Sequence, residues 1–273
     1  MAIDLVGKIG SMALIQRAEM DMDYNIFARL GRELKPGMVW VSSGATEIGR
    51  LDYIRRMGRE LSGDVEDVKT DYAAQGQAIL MENYRRFLAP EYSLRQLLVE
   101  HTHFNHPESA AFIRRFLLRC PEQNAVPIIN YNDPVSFEEN RKMELSLLRR
   151  NNPDAVECVD NDETAAVVAK LVNAKQLLIL TSADGIYRNP TDPSTIVREL
   201  TAKDPQALEA AIRELQKSCI GASRAGAGGA FAKLEYILPC ALQGTHVVIG
   251  SPRFHIKELL EGSVPATHIY LDE

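Results

Sequence analysis

The sequence predicts an α/β fold, a three-layer α/β/α sandwich around a largely parallel central sheet. Three observations carry that expectation. Short apolar runs without alternation, at 38–41, 126–129 and 176–181, have the character of parallel strands buried on both faces. Helical stretches alternate with these strands, as in βαβ units. Glycine, lysine, amide or carboxylate clusters then follow strand after strand, where open α/β sheets bind ligands.

Taken in order, residues 3–6 form a short strand followed at once by Gly7-Lys8-Ile9-Gly10-Ser11. A glycine-rich turn with a lysine suits a phosphate, because backbone N–H groups and an ammonium face the anion. The spacing is not that of a Walker A loop, and an ordinary surface turn fits the same residues. A helix over 24–34 closes at Lys35-Pro36-Gly37. The strand at 38–41 ends in Ser42-Ser43-Gly44-Ala45, small residues that let a ligand approach the backbone or simply make a tight turn. Residues 50–69 read as a charged, mobile connection, and 70–88 as a helix. Gly76 inside that helix costs about 1 kcal/mol against alanine, so close packing or a ligand must justify it.

A strand over 94–100 leads to His101, His103 and His106, whose spacing matches no zinc signature; solvent-facing or supporting histidines are the expectation. Residues 107–118 are helical. The strand at 126–129 ends in Asn130-Tyr131-Asn132-Asp133-Pro134, an amide-and-carboxylate cluster able to hold a small polar substrate or to form an Asx-type turn. A long polar connection follows over 134–159, with Arg141, Lys142, Arg149 and Arg150 along it and a short helix over 143–150. Its basic residues form either a solvated face or an anion clamp.

Asp160 and Glu163 then have the spacing of a capping box at the start of an apolar helix. That helix feeds the strand at 176–181 and the turn at Asp184-Gly185. An amphipathic helix over 204–217 starts with Pro205 and runs to a glycine- and alanine-rich loop at 221–230. Lys233 lies on a helix over 232–238 that Pro239 ends or kinks. A strand at 245–249, a short helix and a last strand at 267–271 complete the chain.

Composition sets outer bounds. The 273 residues are 45% hydrophobic and 25% charged, ordinary proportions for a globular protein. A formal charge of −6 without a long basic run disfavours nucleic acid and anionic membrane as partners. The start of the chain lacks the pattern of a signal peptide. Cys120, Cys158, Cys219 and Cys240 are scattered, as expected of reduced, buried thiols in a cytoplasmic protein.

Seven blocks stand in a recognisable order: G-K-I-G-S at 7–11, V-S-S-G-A at 41–45, A-A-Q-G-Q at 73–77, P-I-I-N-Y-N-D at 127–133, D-N-D-E-T-A-A at 160–166, L-T-S-A-D-G-I-Y at 180–187 and G-A-G-G-A-F-A-K-L at 226–234. Together they resemble the amino-acid kinase family, most closely its glutamate 5-kinase branch in the short form without a C-terminal RNA-binding-like domain. The resemblance covers nearly the whole chain and implies a single domain over 1–273, with an acceptor-binding half at about 1–159 and a nucleotide-binding half at about 160–273.

It further implies transfer of the γ-phosphate of ATP, with Mg2+, to the side-chain carboxylate of glutamate or a related small acid, in a cytoplasmic homo-oligomer (dimer or tetramer). On that resemblance Lys8 and Lys233 neutralise the phosphates, and either Asp160 or Asp162 orients them. Ser43, Gly44, Asn130, Asp133 and Asn161 bind the acceptor. Gly10, Ser11, Thr181, Ser182, Asp184, Tyr187, Gly226, Gly228 and Gly229 line the nucleotide site. Tyr131 stands where the family usually has an acidic residue and Ser182 where it has an aspartate. Gly226-Ala227-Gly228-Gly229-Ala230 replaces G-T-G-G-M, and the 134–159 connection is longer. A different anionic acceptor, met by the basic residues of 134–159, is one alternative. A nucleotide-binding sensor or storage protein without turnover is another.

Overall fold

Leu5–Ile9 forms strand β1, buried along its whole length, and the rest of the sheet is built outward from it. The computed structural model describes residues 2–136, 138–152, 155–158, 160–219 and 229–272. A small hairpin, β2 (Ile15–Gln16) and β3 (Asp21–Met22), leads to helix α1 (Tyr24–Glu33). Strand β4 (Met38–Ser42) precedes α2 (Ala45–Met57) and α3 (Val65–Phe87). Next come β5 (Ser93–Val99), α4 (His101–Asn105), α5 (Pro107–Arg119) and β6 (Ala125–Tyr131). Helix α6 (Glu138–Asn151) links β6 to α7 (Asn161–Val172) and β7 (Gln176–Leu180). The chain ends through β8 (Glu199–Ala202), α8 (Pro205–Ser218), α9 (Gly229–Ala241), β9 (His246–Gly250), α10 (Ile256–Leu260) and β10 (Ala266–Leu271).

Among the described residues the main sheet has eight strands in the order β5-β6-β4-β1-β7-β9-β10-β8. Each pairing is parallel except that of β9 with β10. Two apolar layers flank it. On one face Ala165, Val168, Ile212 and Leu234 of α7, α8 and α9 meet Val6, Ile179 and Ile249 of the strands. On the other, Phe27, Ile48 and Leu80 of α1, α2 and α3 meet Leu5, Trp40 and Leu178. The expected three-layer sandwich is therefore present. All four cysteines are free and buried.

The structure corrects several local expectations. Gly7 and Lys8 belong to β1 rather than to a turn. A Cβ on Gly7 would lie 2.0 Å from Cζ3 of Trp40, so glycine is what allows the indole of β4 to lie across β1. Trp40 Nε1 donates to the Tyr84 hydroxyl at 3.1 Å, and that hydroxyl is 2.8 Å from Ser42 Oγ. Residues 50–69 are largely helical, not a mobile connection. Their charges pair at helical spacing, Arg50 with Glu47 and Arg56 with Asp52, each at 2.8 Å. The 134–159 connection carries all of α6, longer than the expected 143–150 helix. Helix α9 runs on through Pro239 into its last turn. The β2–β3 hairpin and β8 had no counterpart in the sequence reading.

Gly76 is explained by packing. A Cβ there would stand 1.8 Å from the Ala45 carbonyl oxygen, and one on Gly49 would stand 1.9 Å from that of Tyr72. Helices α2 and α3 thus cross backbone to backbone. Overpacking of this kind costs about 1–3 kcal/mol, so Gly76→Ala is expected to lower the free energy of unfolding by that amount, read as a fall in the urea midpoint. An unchanged midpoint would show that the two helices separate freely.

Candidate active site

The carboxyl ends of β6, β4, β1 and β7 lie side by side, and the first turn of α7 arrives above them. Lys8, the fourth residue of β1, is only 7% exposed. The amino end of α7 is set by its cap: the Asp160 side chain accepts the Asp162 N–H at 2.9 Å. Glu163 accepts the Glu157 N–H at 3.0 Å. Because Asp160 is turned back on its own helix, Asp162 is the residue that projects between strands and helices. It is 1% exposed, with Lys8 Nζ 2.6 Å from Oδ1 and Lys233 Nζ 2.9 Å from Oδ2. Burial works to raise the Asp162 carboxyl, but the ammonium charges of Lys8 and Lys233 outweigh it and hold it below the ordinary carboxylate range. Of the two carboxylates the sequence left open, the structure brings Asp162 to both lysines.

Asn161, one residue before, forms the second half of the site. Its amide donates to Ser43 Oγ at 2.8 Å and to Asn130 Oδ1 at 3.0 Å. Asn130 in turn donates to Gln77 Oε1 on α3 at 2.8 Å. Ser43 N donates to the Ile9 carbonyl, so the ends of β4 and β1 are tied together. Gly44 at the start of α2 has φ 116°, a left-handed conformation natural to glycine.

These residues border a cavity of about 310 Å³, lined by Ser11, Met12, Ser43, Gly44, Ala45, Thr46, Glu47, Asn130, Asp133 and Asn161. All five residues expected to bind the acceptor therefore meet at one cavity. Gln77, Thr46 and Glu47 were missed, although Gln77 lies in the A-A-Q-G-Q block. Among the described residues Asn161 Oδ1 and Gln77 Nε2 are buried with no partner, which leaves hydrogen-bonding capacity beside the cavity. Burial pushes the Asp133 carboxyl up to about 6, against the pull of the Arg141 charge.

The residues expected to line the nucleotide site are more scattered. Ser11 borders the cavity, and a Cβ on Gly10 would lie 3.7 Å from Lys8 Nζ, so any side chain there would stand beside the ammonium. Thr181, Ser182, Asp184 and Tyr187 lie on the loop after β7, away from that cavity. Thr181 N donates to the Gly250 carbonyl, Asp184 pairs with Arg253 at 2.7 Å, and Tyr187 bridges Ile196. Ser182 is exposed. Gly229 begins α9, the helix of Lys233, while Gly226 and Gly228 lie outside the described residues. The three histidines lie apart in role: His101 is buried 3.2 Å from the Tyr131 hydroxyl, His103 accepts the Glu100 N–H at the start of α4, and His106 precedes α5. Among the described residues no group of three His, Cys, Asp or Glu is placed to hold a metal ion, and no helix is long and apolar enough to cross a membrane.

The amino acid kinase family pattern matches residues 5–251. The chain belongs to the amino acid kinase family. Similar relatives include the glutamate 5-kinases of Dehalococcoides mccartyi, 29% identical over 94% of this chain and 62% of that protein, and of Maridesulfovibrio salexigens, 29% identical over 98% of this chain and 67% of that one. The chain thus spans about two thirds or less of the length of these relatives. Among solved structures, the Giardia lamblia carbamate kinase bound to AMP-PNP shares the fold, with a TM-score of 0.62, 15% identity and 99% of each chain covered.

Asp162→Asn leaves buried Lys8 and half-buried Lys233 without their shared counter-charge, a loss of about 3–5 kcal/mol in thermal or urea unfolding. The carboxyl lies below its unfolded value, so its contribution is present above the ordinary carboxylate range and disappears as pH falls through the folded value. Stability of the wild type should therefore decline in acid more steeply than that of Asp162→Asn. Parallel acid profiles would contradict the ion triad.

Proposed function

We propose that the chain is an ATP-dependent kinase that phosphorylates the side-chain carboxylate of glutamate or a related small acid, giving an acyl phosphate. The observation that carries this reading is the Lys8–Asp162–Lys233 triad beside a cavity lined by Ser43, Asn130, Asp133 and Asn161. Two ammonium groups held by one carboxylate leave a net positive site, suited to the oxygens of a phosphoryl group in flight. An acceptor carboxylate oxygen attacks the γ-phosphorus, the bond to the bridging oxygen breaks and ADP leaves. Lys8 and Lys233 stabilise the charge on the transferring group, and Asp162 fixes their positions. Ser43, Asn130 and Asn161 offer hydrogen bonds to the acceptor, and ionised Asp133 meets its ammonium.

Magnesium, accompanying ATP, would neutralise phosphate charge. The donor set fits an ion held mainly by the phosphates, since Asp162 is already engaged by two cations. The division into an acceptor half and a nucleotide half is supported by the cavity, whose lining comes from residues 11–133 apart from Asn161.

Wild-type protein with Mg-ATP, L-glutamate and hydroxylamine is expected to yield the hydroxamate. Lys8→Ala should reduce the rate by about 10²–10³ or more. ATP binding without hydroxamate would mean another acceptor. The acceptor KM should also rise as pH falls through about 6, where Asp133 takes up its proton, and Asp133→Asn should give a high, level profile. The same KM across that range would remove Asp133 from acceptor binding.

A further inference from the structure

Four basic residues follow β6, and they face different ways. Arg149 pairs with Glu157. Lys142, Arg149 and Arg150 border a separate groove on α6 with Leu145 and Ser146. Arg141 turns towards the end of β6. Its guanidinium carbon lies 5.8 Å from the centroid of the Tyr131 ring, between the cavity residues Asn130 and Asp133 in sequence. Among the described residues it has no carboxylate partner, yet its charge is felt by Asp133, whose proton affinity it lowers.

The turn that carries Arg141 is fixed from below. The Tyr131 hydroxyl accepts from Ser136 Oγ at 3.2 Å and lies 3.2 Å from Nδ1 of buried His101. On its other side His101 Nε2 is 3.1 Å from Glu144 Oε2. Glu144 lies three residues after Arg141, on the same face of α6. A continuous chain of contacts from β6 through α4 to α6 therefore holds Arg141 against Tyr131, at the strand end that carries the cavity residue Asn130 and close enough for its charge to act on Asp133.

We propose that Arg141 is a specificity-determining wall of that cavity and that, with Asp133, it reads both charges of an α-amino acid head group. The acceptor's ammonium rests on Asp133 and its α-carboxylate on the Arg141 guanidinium, whose planar donors match a carboxylate. The carboxylate at the other end of the acceptor is left free for phosphorylation. This deepens the acceptor reading above and rests on it.

The test is calorimetric binding of L-glutamate and of γ-aminobutyrate, which is glutamate without its α-carboxylate, to folded wild type, Arg141→Ala and Arg141→Lys. Glutamate affinity is expected to fall about ten- to hundredfold in Arg141→Ala and to recover partly in Arg141→Lys, as for the loss of one charge-assisted contact. The affinity for γ-aminobutyrate should be the same in all three. In turnover the effect should appear in the glutamate KM rather than in kcat. Equal glutamate affinity in wild type and Arg141→Ala overturns the proposal. So does equal weakening of both ligands, or no binding of glutamate by wild type. Hydroxamate formation with a glutamate KM indifferent to Arg141 would remove this inference and leave the kinase reading. Arg141-dependent glutamate binding without hydroxamate would do the reverse.

Discussion

A carboxylate enclosed between two ammonium groups joins three elements that are far apart in the chain. Lys8 comes from the central strand, Asp162 from the first turn of α7 and Lys233 from α9. Desolvating three charges is costly, and the assembly holds only because each cation has the same anion within reach. The position of α7 follows from it. Once Asp162 is locked to β1, Asn161 must stand over the ends of β4 and β6, where its amide spans Ser43 and Asn130. The charged centre and the polar cavity are therefore consecutive residues of one helix start, and neither can shift without the other.

Around that centre a packed floor is distinct from a polar rim. The floor is formed by strands buried on both faces and by helices α2 and α3 in backbone contact at Gly49 and Gly76. The rim is made of polar connections: the turn after β4, the segment after β6 and α6. Helix α6 is anchored on its neighbours through buried Leu145, the Glu144 contact with His101, Arg141 over Tyr131 and the Arg149–Glu157 pair.

Much of this arrangement was legible in the sequence because its chemistry sits in short ordered blocks. Lys8, Ser43, Asn130, Asp133, Asn161 and Lys233 could each be named before their neighbours were known. The choice between Asp160 and Asp162 could not be made, because it turns on two residues of helical phase. The first caps the helix through its own side chain; the second projects into the protein. Gly7 and Lys8 were misplaced in a turn because what extends the strand through them is pairing with β4 and β7, far away in the chain, and what calls for a glycine at position 7 is Trp40, 33 positions on. Strand β8 escaped notice because it is four residues long and only partly buried at the sheet edge. Helix α6 was underestimated because its sequence, EENRKMELSLLRRN, is polar around most of its circumference and offers little apolar periodicity. Gln77 had a signal in its block, but its partner Asn130 lies 53 residues away.

The indole over Gly7 has a spectroscopic side. Trp40 is the only tryptophan in the chain, sealed from solvent and bonded through Tyr84 to Ser42, the neighbour of cavity-lining Ser43. Tryptophan emission from this protein therefore originates at one place, the floor beneath the polar cavity. It is a built-in optical reporter of that floor and is blind to events confined to the distant surface of α8.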